Sequence, residues 1–234
     1  MDKMKRFIDC SVNTFACNLK CHYCYVAQNY LFTQKVPKFK YSAELVGKAL
    51  TKKRLGGICM FNICASGETL IPNGVIEYTK AILEQGHYVM IVTNGMLTKR
   101  LEEIAQFPED YRKRLFFKIS YHYLELKRLN KFDLFFSNIE LIKKMKASFT
   151  VEVTPSDELI PYIDEMKDIT LKHLGALPHI TVARDESKPD YPLLTKLSKE
   201  DYIKTWGQFD SMMFNFKISV FGHNTSVKIY RAKS

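Results

Sequence analysis

The 234 residues include 35 lysines and arginines against 25 aspartates and glutamates, a formal net charge of +10, with 46% hydrophobic and 26% charged residues. That balance fits one globular domain, or one domain with a short appendage, and excludes a disordered or fibrous chain. No apolar run approaches the ~20 residues of a membrane helix, and the N-terminal MDKMKRFIDCSVN lacks the apolar stretch of a secretory signal, so a cytoplasmic protein is expected.

In chain order the pattern alternates strand and helix. Phe7–Val12 is a short strand, followed by a loop rich in cysteine. Ser42 is placed to cap a helix reaching about Arg54, with Leu45, Val46, Ala49 and Leu50 on one face. Gly57–Ala65 reads as a buried strand, Asn73–Gln85 as a helix stopped by Gly86, and Tyr88–Thr93 as a strand ending in an Asn94-Gly95 turn. A helix over Thr98–Phe107 closes at Pro108, and Leu115–Tyr121 is the fourth strand. Phe132–Lys146 is helical, with Phe135, Ile139, Ile142 and Met145 spaced by three or four. Phe149–Thr154 is the fifth strand, and Ser156 opens a helix to about Leu174 before Gly175. Ile180–Ala183 is the sixth strand, and Ser198-x-x-Asp201 starts a sixth helix.

Six strands joined by helical crossovers make a parallel sheet, open and twisted or curled into a partial barrel. Beyond the sixth helix, Met213–Phe221 and Thr225–Tyr230 are strand candidates. Residues 1–210 are therefore expected to form the core and residues 211–234 a strand-like appendage, the start of a C-terminal extension. Ligands of such sheets bind at the carboxyl ends of the strands.

The positive charge is spread out. Its tightest groups, Lys52-Lys53-Arg54, Arg112-Lys113-Arg114 and Lys143-Lys144-Lys146, fall at predicted helix ends, where cations complement the dipole. Long nucleic acid is not the expected substrate. All six cysteines, Cys10, Cys17, Cys21, Cys24, Cys59 and Cys64, lie in the first 64 residues, which points to a local metal site rather than a disulfide scaffold. Cys17, Cys21 and Cys24 form C-x3-C-x2-C in the first loop. Three thiolates in eight residues can wrap one iron–sulfur cluster and leave one iron open. Structural zinc takes four ligands, and no second cysteine pair follows. Cys10, Cys59 and Cys64 fall on strands and read as small core residues.

This cysteine spacing with Tyr23 at the aromatic position, directly after the first strand of a βα series, resembles the radical S-adenosylmethionine superfamily. The resemblance implies an α/β partial (β/α)6 barrel in which Cys17, Cys21 and Cys24 hold a [4Fe-4S] cluster and the open iron chelates S-adenosyl-L-methionine. It also implies reductive cleavage to a 5′-deoxyadenosyl radical that takes hydrogen from a peptide, protein or small-molecule substrate, with the electron from an external flavodoxin- or ferredoxin-type donor. Ser66-Gly67-Glu68 is similar to the family's Gly-Gly-Glu after the second strand, with serine in place of the first glycine, and Thr93-Asn94-Gly95 is similar to a pattern after the third. Ser120 resembles a cofactor-contacting position on strand four. The family's adenine motif on strand five is absent from FTVEVTP. From the residues themselves, His122 beside Ser120 is a catalytic candidate, and Glu152 and Arg184, near the ends of strands five and six, are cofactor-binding candidates. Two other functions stay open: a non-catalytic iron–sulfur or zinc-binding protein on the same fold, and an RNA-modifying radical enzyme.

Overall fold

A computed structural model describes residues 3–220. Six parallel strands, β1 (Arg6–Val12), β2 (Cys59–Ala65), β3 (Tyr88–Thr93), β4 (Leu115–Ser120), β5 (Ser148–Val153) and β6 (His179–Ile180), lie side by side in sequence order. Right-handed crossovers that always advance in one direction put the crossover helices on the same face of the sheet. The other face then curls inward, and the result is a partial barrel with β1 and β6 at its edges.

The helices are α1 (Tyr25–Gln28), α2 (Ala43–Ala49), α3 (Lys52–Leu55), α4 (Gly74–Glu84), α5 (Thr98–Ala105), α6 (Glu109–Arg112), α7 (Tyr123–Leu129), α8 (Phe132–Lys144), α9 (Ile163–Leu174), α10 (Lys199–Gly207) and α11 (Met212–Val220). A three-ten turn over Asp157–Tyr162 precedes α9. Among the described residues no helix is long and apolar enough to cross a membrane.

The core lies between sheet and helices. Alternate residues of the central strands, Phe61 and Ile63, Val89 and Ile91, Phe117 and Ile119, are buried and meet Val75, Ile82 and Leu83 of α4, and Phe135, Ile139 and Ile142 of α8. Truncating one of these phenylalanines to alanine costs ~3–5 kcal/mol by lost burial and the cavity left. The intervening strand residues are less buried and face the concave side.

Several expectations are corrected. The helix expected from Ser42 to Arg54 is two helices, because the Thr51 hydroxyl accepts from the Arg54 N–H and starts α3 anew, as Ser42 does for α2. Pro108 does more than end α5: it leads into α6. The residues after Tyr121 form α7, where the sequence predicts no element. Ser156 makes no side-chain cap, and Pro161 lies in the three-ten turn before α9 begins. The sixth strand is shorter than Ile180–Ala183, since Arg184 instead bridges antiparallel to Leu193. The strand expected at Met213–Phe221 is helix over its described part, with Phe214 buried against Tyr202 of α10. Thr225–Tyr230 lies outside the described residues. The basic triplets do sit at helix ends. Arg112 and Arg114 donate to the carbonyls of Phe107, Met145, Leu83 and His87, so these two guanidiniums are structural.

His87, fully buried before β3, ties this layer together. Its Nε2–H donates to the Leu50 carbonyl at 2.7 Å and its Nδ1 accepts from the Cys59 N–H at 3.1 Å, which fixes the neutral tautomer. Burial first, with the charges of Lys52 and Arg114, holds its pKa below the ordinary histidine value against the raising effect of the Leu50 bond. A depressed histidine contributes stability above its unfolded pKa of ~6.5 and loses it as pH falls toward the folded value. Denaturant unfolding at pH 7.5 and 5 is therefore expected to show a loss of stability that His87→Gln reduces. At pH 7.5, His87→Ala is expected to cost about 1–3 kcal/mol for the groups left unpaired.

Candidate active site

The cysteine loop leaves β1 at Val12 and folds back onto the end of β2. Gly67 N–H donates to the Thr14 carbonyl and Glu68 N–H to the Ala16 carbonyl, each at 2.8 Å. Only glycine fits at 67, where a Cβ would stand 2.1 Å from the Ala16 carbonyl oxygen and 2.8 Å from the Phe15 carbonyl carbon. The buried Glu68 carboxylate then reaches β3, accepting from the Thr93 hydroxyl and Asn94 N–H at 2.7 Å each and from the Leu70 N–H at 3.0 Å. Burial pushes its pKa up, and these three donors oppose that.

Asn94 passes the link to the cysteines. Its amide donates to Asn18 Oδ1 at 2.7 Å and toward Cys17 Sγ at 3.8 Å, and the Leu19 N–H points at the same sulfur from 3.5 Å. The loop is further held by Lys20 N–H on Glu125 of α7 and by His22 on Glu158. Gln28 of α1 closes the far side. Its amide N–H2 donates to the Tyr23 and Arg184 carbonyls, and its oxygen accepts from the Glu186 N–H at 2.9 Å.

Cys17, Cys21 and Cys24 line one cavity together with Ser66, Gly67, Glu68, Thr93, Asn94, Ser120 and His122. Burial raises the thiol pKa of Cys17 and, more strongly, of Cys21, so both are neutral thiols at neutral pH. N–H groups aimed at Cys17 sulfur lower its value; they suit a sulfur that becomes a thiolate on binding metal. Among the described residues no three His, Cys, Asp or Glu side chains converge on a single ion. Separate thiols around one cavity match a polynuclear cluster, in which each thiolate has its own iron.

Tyr23 and Arg184 border a neighbouring hollow that shares Cys24 and His122 with the first. The Tyr23 hydroxyl meets His122 Nδ1 at 2.6 Å, and the two rings stack with centroids 6.0 Å apart. Burial holds His122 neutral, its pKa pulled down to about 4. Glu152 lines neither hollow; it is buried on the concave face and pairs with Lys118 at 3.0 Å. The sequence reading missed Asn18, Gln28 and Lys118. For Lys118 a signal existed: it is the one charge in the apolar run LFFKIS of β4. Asn18 and Gln28 act through long-range partners and left no local signal. Of the remaining cysteines, Cys59 is in the core as expected, whereas Cys64 lies on the concave side within the fields of Asp9 and Lys118.

The family model of the radical SAM superfamily matches residues 12–155. A candidate glycyl-radical enzyme activating enzyme of Methanocaldococcus jannaschii is 28% identical over 157 residues, 67% of this chain and 58% of that protein. Among solved structures, native anSMEcpe with bound AdoMet and Cp18Cys peptide superposes with a TM-score of 0.62 at 19% identity, over 86% of this chain and 57% of that one. Streptococcus suis SuiB bound to S-adenosylmethionine gives 0.60 at 15%, over 86% and 46%. These two likenesses establish the fold, and the chain spans about half to three-fifths of each relative's length.

The Glu68 knot predicts its own mutants. In Glu68→Gln an amide N–H2 must face a donor, since glutamine offers one acceptor oxygen where the carboxylate has two. The expected cost is about 1–3 kcal/mol in denaturant unfolding, with no ligand added. Gly67→Ala cannot be relieved by a side-chain shift and is expected to unfold the cysteine loop, read as a loss of protease resistance in residues 13–24.

Proposed function

The chain belongs to the radical SAM superfamily, and from that premise we infer that Cys17, Cys21 and Cys24 hold a [4Fe-4S] cluster whose open iron takes S-adenosylmethionine. The observation that carries this reading is the gathering of three thiols with the Ser66–Glu68 turn, Thr93, Asn94, Ser120 and His122 around one cavity. When bound and reduced, such a pair supplies an electron to the sulfonium, giving methionine and a 5′-deoxyadenosyl radical that takes a hydrogen atom from substrate.

The protein's own part is position and shielding. Asn94 and the Leu19 N–H direct dipoles at Cys17 sulfur and favour its thiolate form. The Ser66–Glu68 turn, fixed against Ala16 by its own backbone, presents the Ser66 and Gly67 edge to the cavity as the place for the methionyl ammonium. The Glu68 carboxylate mainly holds this turn to β3. Ser120 supplies a hydroxyl from β4 for the cofactor's ribose or carboxylate. His122, neutral and oriented by Tyr23, is a polar wall that adds no charge. Arg184 borders the same mouth and is assigned to the cofactor carboxylate.

A peptide or protein substrate is placed first and a small metabolite second. Support comes from the archaeal relative's description and from the peptide in the anSMEcpe complex. Arg112 and Arg114 are committed to main-chain carbonyls, which weakens the case for an RNA surface. A flavodoxin- or ferredoxin-type donor supplies the electron, and the net charge of +10 suits an acidic partner.

Anaerobic reconstitution with iron and sulfide is expected to load about four irons per chain. The Cys17→Ala, Cys21→Ala, Cys24→Ala triple variant should load none, while single Ala variants at Cys10, Cys59 and Cys64 should load normally. The reduced, loaded protein is expected to convert S-adenosylmethionine to methionine and 5′-deoxyadenosine, measured by chromatography. A triple variant that still loads the cluster would refute the ligand assignment. Cofactor that binds but is never cleaved, under several reductants, would favour a non-catalytic iron–sulfur protein.

A further inference from the structure

The charge of +10 has an uneven background. Residues 10–67 carry eight lysines and arginines and one acidic residue, Glu44, which is paired with Lys48 at 2.7 Å. Exposed apolar surface gathers in the same part of the chain. Tyr25, Tyr30, Leu31, Phe32, Val36 and Tyr41 are all exposed, on α1 or on the stretch that leads from it to α2. Apolar side chains exposed singly need no explanation, whereas a run of them beside a cavity marks a binding surface.

That stretch, residues 29–42, is a strap with neither helix nor strand. It starts at the active-site mouth, where Phe32 lines the cysteine cavity and Tyr25 the neighbouring hollow. It ends on α4. There the Phe39 and Tyr78 ring centroids are 4.5 Å apart, and the Tyr78 hydroxyl donates to the Tyr41 carbonyl at 2.6 Å. Gly74 makes room for this anchor, since a Cβ at that position would stand 2.4 Å from the Phe39 ring. Between the two ends, Lys35, Lys38 and Lys40 are exposed, and among the described residues none of the three is in an ion pair. The main chain of residues 32–40 likewise exchanges no hydrogen bond with other main chain among the described residues; the Lys35 N–H is met by the Thr33 hydroxyl at 3.0 Å.

Phe39 separates two hollows at the far end of the strap. One is apolar, with Cys10 and Val12 of β1, Val46 of α2 and Ile82 of α4 in its wall, and Lys40 also lines it. The other is lined by Val36, Pro37, Lys38 and Glu77. Glu77 is the one acid lining either hollow, against Lys38 and Lys40. At the mouth, Glu186 lines the hollow beside Tyr25, but Arg184 lines it too. With every acid counted, the track from Phe32 to Tyr41 keeps a positive balance through Lys35, Lys38 and Lys40.

We propose that the strap and its apolar hollow are a docking track for an acidic segment of a peptide or protein substrate, one that also carries an apolar side chain and lies outside the residue that reacts. The proposal deepens the reading of a peptide or protein substrate and rests on it for the word substrate. The lysines attract carboxylates, the exposed rings and the hollow take an apolar anchor, and the unpaired main chain is free to bond an extended peptide. A linear track that leads out of the mouth suits a chain whose reacting residue is inside it. A globular electron donor instead presents a broad face.

The test is fluorescence anisotropy with the anaerobically reconstituted full chain at about 0.15 M salt, where long-range attraction between exposed charges is screened. The probe is a short labelled peptide rich in glutamate with one phenylalanine and one leucine. One analogue has glutamine for every glutamate, and another has serine for the two apolar residues. The parent peptide is expected to bind, and both analogues to bind more weakly. Lys35→Gln, Lys38→Gln and Lys40→Gln together are expected to weaken the parent about tenfold. Lys99→Gln, Lys172→Gln and Lys204→Gln together remove the same charge from exposed positions on α5, α9 and α10 and should leave binding within about twofold. Equal loss in the two triple variants, equal binding of either analogue, or tighter binding of an oligouridylate of the same charge would overturn the proposal. So would a strap variant that keeps the peptide but is reduced more slowly by an acidic flavodoxin-type donor, since the strap would then be the donor's surface. The substrate reading is judged separately, by the 5′-deoxyadenosine formed with candidate peptides and with small metabolites. Peptide bound at the strap while only a small metabolite is turned over supports the track and refutes the substrate reading. Absence of peptide binding in the wild type overturns the track whatever the enzyme turns over.

Discussion

One buried carboxylate holds the site in place. Glu68 accepts three hydrogen bonds, and two of them come from Thr93 at the end of β3 and Asn94 just after it. The turn that carries it is itself pinned to the cysteine loop by two main-chain bonds. The ends of β1, β2 and β3 are thus joined through a single side chain in a low-dielectric setting, where satisfied hydrogen bonds are strong and an unsatisfied one is costly. Asn94, Cys17 and the cavity wall take their positions from that junction.

The larger geometry follows from strand order. Because the six strands run in sequence without reversal, the crossover helices lie on one side and the other side is left for a ligand. An apolar outer face and a mixed inner face then divide the work along each strand. In β4, Phe117 and Ile119 stabilise the fold while Lys118 and Ser120 face the concave interior. The same alternation that builds the core sets the chemical character of the lumen, one residue out of step.

Much of this was legible beforehand, for physical reasons that can be named. The first five strands were read to within about two residues because buried parallel strands are short continuous apolar runs bounded by turns. The cysteine loop stood out because three thiols in a loop have no packing purpose. The last helix misled: Phe214, Phe216, Ile218 and Val220 alternate with polar neighbours, a period-two pattern, yet the segment packs as helix against β6. Its partners are tertiary, so local alternation gave the wrong period. The break at Thr51 and the helix α7 were missed because their signals are one hydroxyl and a run of mixed polarity. Glu152 was read as inward or outward without a choice, since the deciding residue, Lys118, is on another strand. Ser120 and His122 line one cavity because Ser120 ends β4 and His122 stands two residues beyond it.

Gln28 has a consequence for the order of assembly. Its bonds to Arg184 and Glu186 join residues 156 and 158 positions apart. Closing a chain loop of that length costs on the order of 4–5 kcal/mol of entropy, while two hydrogen bonds return about 1 kcal/mol each. The latch cannot form in an unfolded or half-folded chain. It closes only after successive short crossovers have laid down the strands and brought the two edges of the sheet within reach, each step closing a far smaller loop. The rim between the first and last strands is thus the final part of the molecule to assemble, and in unfolding it is the first to part.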